Sequence, residues 1–338
     1  MKLAVVIPTR NRPNELLRLL ENLSLQTRRP DRVIIIDGSD EAERGAIETG
    51  ARAAWFTVDL QRHWPPSAAA QRNRGLSLVP ADFDLVALID DDVTLDPQAL
   101  AIVCRWAQTL SSEIIGLGLN PEDEAAAAAP GRWKSSRLAR WLGLYSDRVA
   151  VVTPSGWHTR VRRVDELTTV DWLSTCAVAW RVAAIRELRF DEFFQTYSYL
   201  EDLEFSLQAA RRGRFVMLPD ADYLHLPAPG GRNSRLWFGQ IEIRNRLYIV
   251  HKHGLSLSRF WLGVGIRAAL TLVSMIHDAG EAARLWGNLQ EIAAILWGKT
   301  PGLPQESRGH LAESLRVLGD RRHDGRGHRR TRSIERNK

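Results

Sequence analysis

Three consecutive aspartates directly after an apolar run constrain this chain more than any other feature of its sequence. Residues 85–89 are all apolar, and two of them are β-branched. Such a run predicts a strand buried on both faces, as in the centre of a parallel sheet. Asp90, Asp91 and Asp92 then place three like charges at the strand end, which is unfavourable without a nearby cation. Since hard oxygen ligands select Mg²⁺ or Mn²⁺, the stretch predicts a divalent metal site.

A solvated acidic turn is the alternative interpretation of the same stretch. Asp96 and Pro97 suit the start of a helix, and a helix is predicted directly after them over residues 98–110. In that case the three aspartates need no ligand. The choice between the two interpretations depends on the rest of the chain.

Strand and helix patterns alternate through the first hundred residues. Strands are predicted over residues 2–7, 32–36 and 53–58, and helices over residues 14–24, 41–49 and 68–78. A strand, a helix and a strand at this spacing form a right-handed βαβ unit. The sequence therefore predicts an α/β fold with a mostly parallel central sheet flanked by helices. Such sheets bind ligands beyond the carboxyl ends of their strands, where Asp37 and the aspartate triplet are predicted to lie.

The pattern becomes irregular beyond residue 115. Residues 120–131 are acidic and rich in alanine, which predicts a mobile loop. Strands are predicted over residues 149–153, 161–164 and 215–218, and a helix over residues 201–211. Ser174, Thr175 and Cys176 interrupt an apolar run, and such small residues suit a wall that lies close to a ligand.

The composition indicates a globular protein of a reducing compartment. The chain has 338 residues, of which 44% are apolar, so it can build one large domain or two modest ones. Cys104 and Cys176 are too few for a disulfide framework or a cysteine-based metal site. The first apolar run is only strand length, which is not the pattern of a secretory signal. We therefore expect a cytoplasmic location.

The positive charge of the chain is confined to its last residues. The net charge is +6, and residues 321–338 alone contain eight basic and two acidic side chains. Residues 1–320 are therefore neutral overall, which argues against nucleic acid as the main partner. We expect residues 301–338 to form a solvated, disordered tail, with attraction to an anionic membrane or to RNA as alternatives.

Six short segments rich in polar or acidic residues stand out between residues 6 and 225. They are VIPTRNR at residues 6–12, DGS at 37–39, QRNRG at 71–75, IDDD at 89–92, Glu201-Asp202 and the later His225. In order and spacing they resemble the family 2 glycosyltransferases of the GT-A fold. The resemblance covers roughly residues 1–250 and implies a GT-A catalytic domain with a donor half at about 1–115 and an acceptor half at about 116–250. It departs from the family at Ile36, where relatives often carry a second acidic residue.

The resemblance implies a binding site for a nucleotide-diphosphate sugar donor. The implied nucleotide-sugar-binding residues are Pro8, Thr9, Arg10, Asp37, Arg72, Asn73, Asp90 and Asp91. Asp37 would accept a hydrogen bond from a base N–H, although an Asx turn with the following residues explains it equally well. Arg72 and Asn73 would approach the diphosphate, and charges on a helix surface are the alternative.

The resemblance also assigns a metal site and a catalytic base. Asp90 and Asp92 match the Asp-x-Asp motif that holds Mg²⁺ or Mn²⁺, and His225 would complete the metal shell. Asp202 would take the proton from the acceptor hydroxyl, and one base with an in-line displacement implies inversion of the anomeric carbon. The alternatives are a structural His225, and acidic residues at Glu201 and Asp202 that merely suit a helix N-terminus.

The region after residue 250 predicts amphipathic helices. Residues 244–248 and 251–253 resemble relatives that transfer rhamnose or similar sugars in cell-surface glycan assembly. Residues 260–276 are mostly apolar but short for a membrane span and contain Arg267. The next helix places four apolar residues on one face, with two tryptophans beside them. These are Leu285, Leu289, Ile292 and Leu296, with Trp286 and Trp297. Residues 251–300 could thus pack on the catalytic domain, lie in the membrane interface on its cytoplasmic face, or span the membrane.

Three functions remain compatible with these motifs. The first is an inverting glycosyltransferase that uses a nucleotide-sugar donor and a glycan or lipid-linked acceptor in polysaccharide biosynthesis. The second is a sugar-phosphate nucleotidyltransferase, but that class needs a Gly-rich phosphate loop where this chain has Pro8, Thr9 and Arg10. The third is a membrane-tethered binding module without catalysis, against which the presence of Asp92 and Asp202 argues.

Overall fold

The structure is a computed structural model that describes residues 1–52, 56–122, 137–194, 198–226, 234–276, 278 and 280–300. The strands in these ranges are β1 (Leu3–Thr9), β2 (Arg32–Asp37), β3 (Val58–Arg62), β4 (Leu85–Ile89), β5 (Val93–Leu95), β6 (Ile114–Pro121), β7 (Thr168–Val170), β8 (Ala177–Arg181) and β9 (Arg214–His225). The helices are α1 (Pro13–Ser24), α2 (Glu41–Arg52), α3 (Ala68–Ser77), α4 (Ala99–Thr109), α5 (Arg137–Trp141), α6 (Val182–Ile185), α7 (Glu201–Ala209), α8 (Arg235–Lys252), α9 (Leu257–Ser274) and α10 (Glu281–Leu296).

One sheet contains all nine of these strands. Its order is β3-β2-β1-β4-β8-β6-β9-β5, and β7 pairs with β9 beside this path. The first four strands pair in parallel, as the βαβ pattern predicts. The second part of the sheet is mixed, because β8, β5 and β7 pair antiparallel with their neighbours while β6 and β9 are parallel. The predicted α/β class is confirmed, and the predicted parallel arrangement describes the first half of the sheet.

The sheet separates two hydrophobic cores, because alternate residues of each strand point to opposite faces. Leu3, Val5 and Ile7 of β1 pack with α1, α2 and α4 on one face. Ala4 and Val6 pack on the other face with residues of α3, α7 and α8. All five residues of β4 are buried, which confirms the central strand predicted before the aspartate triplet. Burial of both faces fixes this strand and therefore the position of the charges that follow it.

The third strand lies further along the chain than predicted. β3 covers Val58–Arg62 instead of residues 53–58, and Val58 pairs with Val33. Residues 53–55 lie outside the described part of the chain. Since β3 is the edge strand and is only partly buried, its residues are mostly polar. The apolar pattern that identifies a central strand is therefore missing at this position.

Two further predictions beyond residue 115 are wrong where the structure describes the chain. Residues 149–153 and 161–164 form no regular strands, and within this described stretch a single bridge joins Val152 to His158. Asn120 belongs to β6 and is fully buried, not part of a mobile loop. Its side-chain amide donates to the carbonyls of Val164 and Pro219. Residues 123–131 of the predicted loop lie outside the described residues.

The last helices pack against one another through glycines. A Cβ atom on Gly239 of α8 would lie 2.1 Å from the Arg284 carbonyl oxygen, and one on Gly287 of α10 would lie 2.0 Å from that of Leu236. The two backbones therefore touch, as small residues at a helix interface allow. Two ion pairs, Arg284 with Glu242 and Arg244 with Glu291, join the same helices. In the part of the chain that the structure describes, no helix is long and apolar enough to cross a membrane.

Candidate active site

The carboxyl ends of β1, β2 and β4 converge on one polar cluster. Thr9 at the end of β1 is in register with Asp37 at the end of β2. The side-chain amide of Gln71, in α3, donates to the carbonyls of Thr9 and Ile36 at 2.9 and 2.8 Å. This buried amide joins the ends of β1 and β2 to α3 and thereby holds these three elements together beneath the polar cluster.

Asp91 occupies the buried centre of the aspartate triplet. It accepts hydrogen bonds from Thr9 Oγ1 at 2.7 Å and from Arg12 Nη1 at 3.0 Å. Burial raises the pKa of Asp91 to about 6, although the Arg12 guanidinium and the Thr9 hydroxyl oppose that shift. Asp91 therefore joins the end of β4 to Thr9 and to the β1 loop, which is formed by residues 10–12 between β1 and α1.

Asp92 and His225 form a pair of potential metal ligands. His225 ends β9 beside Val93 of β5, and the Leu226 amide donates to the Asp92 carbonyl. This pairing brings His225 Nε2 to 3.2 Å from Asp92 Oδ1. Two ligands at adjacent positions around a small octahedral ion are separated by roughly 3 Å, so the spacing fits. The carboxylate suits Mn²⁺ or Mg²⁺ with water or phosphate oxygens in the other positions, and the imidazole nitrogen favours Mn²⁺ over the harder Mg²⁺.

Asp90, the third predicted metal ligand, is bound by an arginine. Its Oδ1 accepts from Arg72 Nη2 at 2.7 Å, and Arg72 Nη1 donates to Glu201 Oε1 at 2.8 Å. Arg72 is 4% exposed, so its guanidinium is shielded from water, whereas the Asp90 side chain is half-buried. No group of three acidic, histidine or cysteine side chains in the described ranges has the arrangement of a complete metal site. Asp92 is likewise paired with an arginine, Arg12, through its Oδ2 atom, so the metal-binding roles of Asp90, Asp92 and His225 stay predictions.

Asp202 lies next to this network at the start of α7. Its Oδ1 accepts a hydrogen bond from the backbone N–H of Leu203. Burial raises the pKa of Asp202 above the ordinary aspartate value, and it raises that of Glu201 as well. In both cases the positive charge of Arg72 opposes the effect of burial. A raised pKa makes the Asp202 carboxylate a stronger base than an exposed aspartate.

Arg72 connects the two acidic parts of the site. It contacts Asp90 at the end of β4 and Glu201 at the start of α7. The predicted donor residues Thr9, Asp90 and Asp91 and the predicted base Asp202 therefore belong to one region of the molecule. This juxtaposition joins sequence positions more than a hundred residues apart.

Other predicted donor residues make local contacts of their own. The carboxylate of Asp37 accepts from the Ser39 N–H at 2.8 Å, which is the Asx turn considered as its alternative. Asn73 exchanges two hydrogen bonds with the backbone of Phe190. Arg10 is exposed, and its guanidinium lies 4.0 Å from Asp40. Pro8 is half-buried near the end of β1. Roles for these four residues in donor binding stay predictions.

Sequence reasoning missed three contributors to the site. Arg12 contacts both Asp91 and Asp92, Gln71 joins two strand ends, and Glu201 pairs with Arg72. Arg12 and Gln71 lie within the segments identified in the sequence, but the predicted roles in donor binding were given to neighbouring residues of those segments. A buried carboxylate triplet requires cationic partners, and this requirement could have identified Arg12.

The segment that resembles rhamnose-transferring enzymes serves the packing of α8. Asn245 donates to the carbonyl of Tyr199, and Arg246 donates to that of Gly156 at 2.5 Å. The Arg246 guanidinium also lies 4.1 Å from the centre of the Trp157 ring. His253 Nε2 lies 3.0 Å from Glu204 Oε1 of α7. The contact of His253 with Glu204 supports the helix that carries Asp202, the other contacts join α8 to neighbouring loops, and none of them identifies a sugar.

Solved structures with the GT-A fold resemble this chain. A mannosyltransferase of Pyrobaculum calidifontis, PcManGT, solved with GDP-Man and Mn²⁺, matches with a TM-score of 0.50 and 15% identity over 94% of this chain and 80% of its own. GalNAc-T7, solved with UDP, GalNAc and Mn²⁺, matches with a TM-score of 0.55 and 13% identity over 74% of this chain and 48% of its own. At such identities the likeness concerns the fold, which is GT-A.

The sequence itself then identifies the family. Residues 2–228 match the family described as "Glycosyltransferase like family 2". This match covers more than half of the chain, so the chain belongs to the family 2 glycosyltransferases and is a glycosyltransferase. No curated protein gives a significant match to its sequence. The resemblance stated from the six short segments is thereby confirmed.

Proposed function

We propose that this enzyme is an inverting, metal-assisted glycosyltransferase that moves a sugar from a nucleotide-diphosphate donor to a glycan or lipid-linked acceptor. The observation that carries the proposal is the pairing of Asp92 with His225 in the same polar region as Asp202. The proposed metal ligands and the proposed base would then both lie near the carboxyl end of β4. We further propose that residues 1–115 bind the donor and that residues 116–250 bind the acceptor.

The donor would bind across the carboxyl ends of β1, β2 and β4. We assign the base and ribose to the region of Thr9, Asp37 and Asp90, since carboxylates accept hydrogen bonds from N–H and O–H groups. Asp92 and His225 would hold Mg²⁺ or Mn²⁺, which neutralises charge on the departing nucleoside diphosphate. The two structural neighbours were solved with Mn²⁺ and with GDP- or UDP-containing ligands, which supports this choice of ligand class.

Asp202 would accept the proton of the acceptor hydroxyl. Its raised pKa strengthens it as a base, and Arg72 holds the adjacent Glu201 in place through the 2.8 Å ion pair. Only one base is assigned, so attack and departure occur on opposite faces of the sugar and the anomeric configuration inverts. A double displacement would need a second carboxylate as nucleophile.

A thermal-shift screen with nucleotide sugars tests this proposal without knowledge of the acceptor. We expect one class of UDP-, GDP- or dTDP-linked sugars to raise the melting temperature when Mn²⁺ is present, because ligands that bind only the folded state stabilise it. The shift should shrink when EDTA replaces Mn²⁺. Stabilisation by nucleotide sugars that is never followed by release of nucleoside diphosphate would favour a binding module without catalysis.

We also propose that α9 and α10 hold the enzyme at the cytoplasmic face of a membrane. Large apolar side chains on and directly after these helices are exposed, among them Ile276 at 79% and Trp297 at 74%. The predicted apolar face of α10 is divided, since Leu285 is buried while Leu289 and Leu296 are exposed. The basic residues 321–338, which lie outside the described part, add charge that anionic lipids attract.

Flotation with anionic liposomes tests the membrane proposal. The full chain should float at low salt, and high salt should weaken the binding because it screens charge. Ile276→Glu should reduce flotation, because it places a charge among apolar groups that would enter the interface. Leu25→Glu is the matched control, since Leu25 is 73% exposed but lies at the end of α1. A full chain that stays with the soluble fraction at low salt would contradict the proposal.

A further inference from the structure

We propose that the Arg12 guanidinium supplies the positive charge at the metal site when no metal ion is bound. When the ion binds, the guanidinium moves to the diphosphate of the donor. The inference rests on the proposed metal site at Asp92 and His225. Arg12 Nη1 lies 3.0 Å from Asp91 Oδ1 and 3.1 Å from Asp92 Oδ2. One guanidinium nitrogen therefore bridges the two carboxylates and places a positive charge between them.

Arg12 neutralises a group of charges that would otherwise repel one another. Asp91 and Asp92 are 3% and 5% exposed, so water screens their carboxylates poorly. The same Asp92 carboxylate carries Oδ1, which faces His225, and Oδ2, which faces Arg12. An ion at Oδ1 would share this small carboxylate with the guanidinium. Because like charges at such separations repel strongly, binding of the ion and retention of Arg12 oppose each other.

The attachment of Arg12 is suited to displacement. Its contacts to both aspartates come from Nη1, whereas a bidentate pair would use two parallel N–H groups on one carboxylate. Arg72 differs, because it is 4% exposed and binds its two carboxylates through two separate nitrogens. The Arg12 side chain is 31% exposed, so part of it is in contact with solvent and could reach a ligand that binds from solvent.

The backbone beside Arg12 is fixed, so its side chain is the part that can move. Asn11 has a φ of 55°, an uncommon conformation for a residue other than glycine. Its backbone N–H donates to Ser39 Oγ, and its side-chain amide exchanges hydrogen bonds with Asp40. These contacts anchor the β1 loop to the end of β2. A guanidinium on such a fixed base can exchange carboxylates for a phosphate oxygen, which is also a preferred partner of arginine.

This exchange makes binding of metal and of nucleoside diphosphate cooperative. Without the nucleotide, the ion must displace or tolerate Arg12, so it binds weakly. With the nucleotide, the diphosphate offers Arg12 a new anionic partner and offers the ion further oxygen ligands. By linkage, each ligand then increases the affinity for the other.

The test measures Mn²⁺ binding directly, by the EPR signal of free Mn²⁺, in wild type and in Arg12→Gln. Loss of the Arg12 charge should tighten the Kd for Mn²⁺ alone by about tenfold. The increase in Mn²⁺ affinity that UDP or GDP causes should become smaller in the variant. Arg12→Lys retains the charge and should resemble wild type. Arg18→Gln, which removes an exposed arginine of α1, should change neither affinity.

Two results would overturn the proposal. An unchanged or weakened affinity for Mn²⁺ alone in Arg12→Gln, in a variant whose melting curve shows a folded protein, would show that Arg12 does not compete with the ion. An affinity for Mn²⁺ that UDP or GDP raises equally in both proteins would show that Arg12 does not carry the coupling. Failure of the metal site itself is distinguishable, because wild type would then bind no Mn²⁺ with or without nucleotide.

Discussion

Asp202→Asn is expected to lower kcat by about a hundredfold to ten-thousandfold, which is the range for the loss of a general base. The asparagine keeps the size of the side chain but cannot accept the proton of the acceptor hydroxyl. Affinity for the donor should change little, because only the transition state uses the proton transfer. Turnover with the acceptor and a binding isotherm for the donor, measured on the same preparation, check both parts.

The pH profile gives an independent readout of Asp202. The base must be ionised, so kcat/KM should decrease as the pH falls through the pKa of this carboxyl. Since burial raises that pKa, the decrease should begin above the ordinary aspartate value of about 3.9. Asp165→Asn makes the same chemical change at an exposed position and should leave turnover unchanged. Equal loss of donor binding in Asp202→Asn would make this residue part of the donor site instead of the base.

Asp92→Ala is expected to abolish Mn²⁺-dependent donor binding and to lower turnover by roughly a thousandfold. The size follows from the several kcal/mol that a metal ion contributes to stabilisation of transition-state charge. The variant removes the carboxylate that lies 3.2 Å from His225 Nε2, so the imidazole alone would remain of this pair. Donor titrations with Mn²⁺ and with EDTA measure the effect.

Asp82→Ala is the matched control for the metal site. Asp82 is an exposed aspartate that precedes β4, at the opposite end of the strand from Asp92. Its removal should leave the dependence on Mn²⁺ unchanged. Full activity of Asp92→Ala, or of the wild-type enzyme in EDTA, would show that the reaction does not use the metal site proposed here.

The first half of the fold could be predicted from the sequence because burial leaves a clear pattern there. Residues 85–89 are apolar without interruption, since β4 is covered on both faces. Helix α1 buries four of its five leucines, leaves Leu17 exposed, and extends over Pro13–Ser24, one residue longer than predicted. At the edge of the sheet β3 is partly exposed, and its polar residues concealed it.

The long-range contacts of the site could not be predicted in the same way. The six segments identified which residues to examine, and the family match confirms the class of enzyme that they indicated. They did not reveal that Arg72 bonds Asp90 and Glu201 together, because those contacts span 18 and 129 residues. The partner of a buried charge depends on three-dimensional packing. Arg12 is an exception, because buried carboxylates such as Asp91 and Asp92 require a cationic partner, and the sequence alone indicates that requirement.

The position of Mn²⁺ in a crystal of the enzyme with UDP or GDP tests the proposed metal site most directly. Anomalous scattering at the manganese edge locates the ion without an assay or a known acceptor. We predict one peak bonded to Asp92 and His225, with the diphosphate completing its ligands and Asp202 on the open side of the donor. A peak bound to other residues, or nucleotide density at the ends of β1 and β4 without any peak, would contradict the proposed metal-assisted transfer.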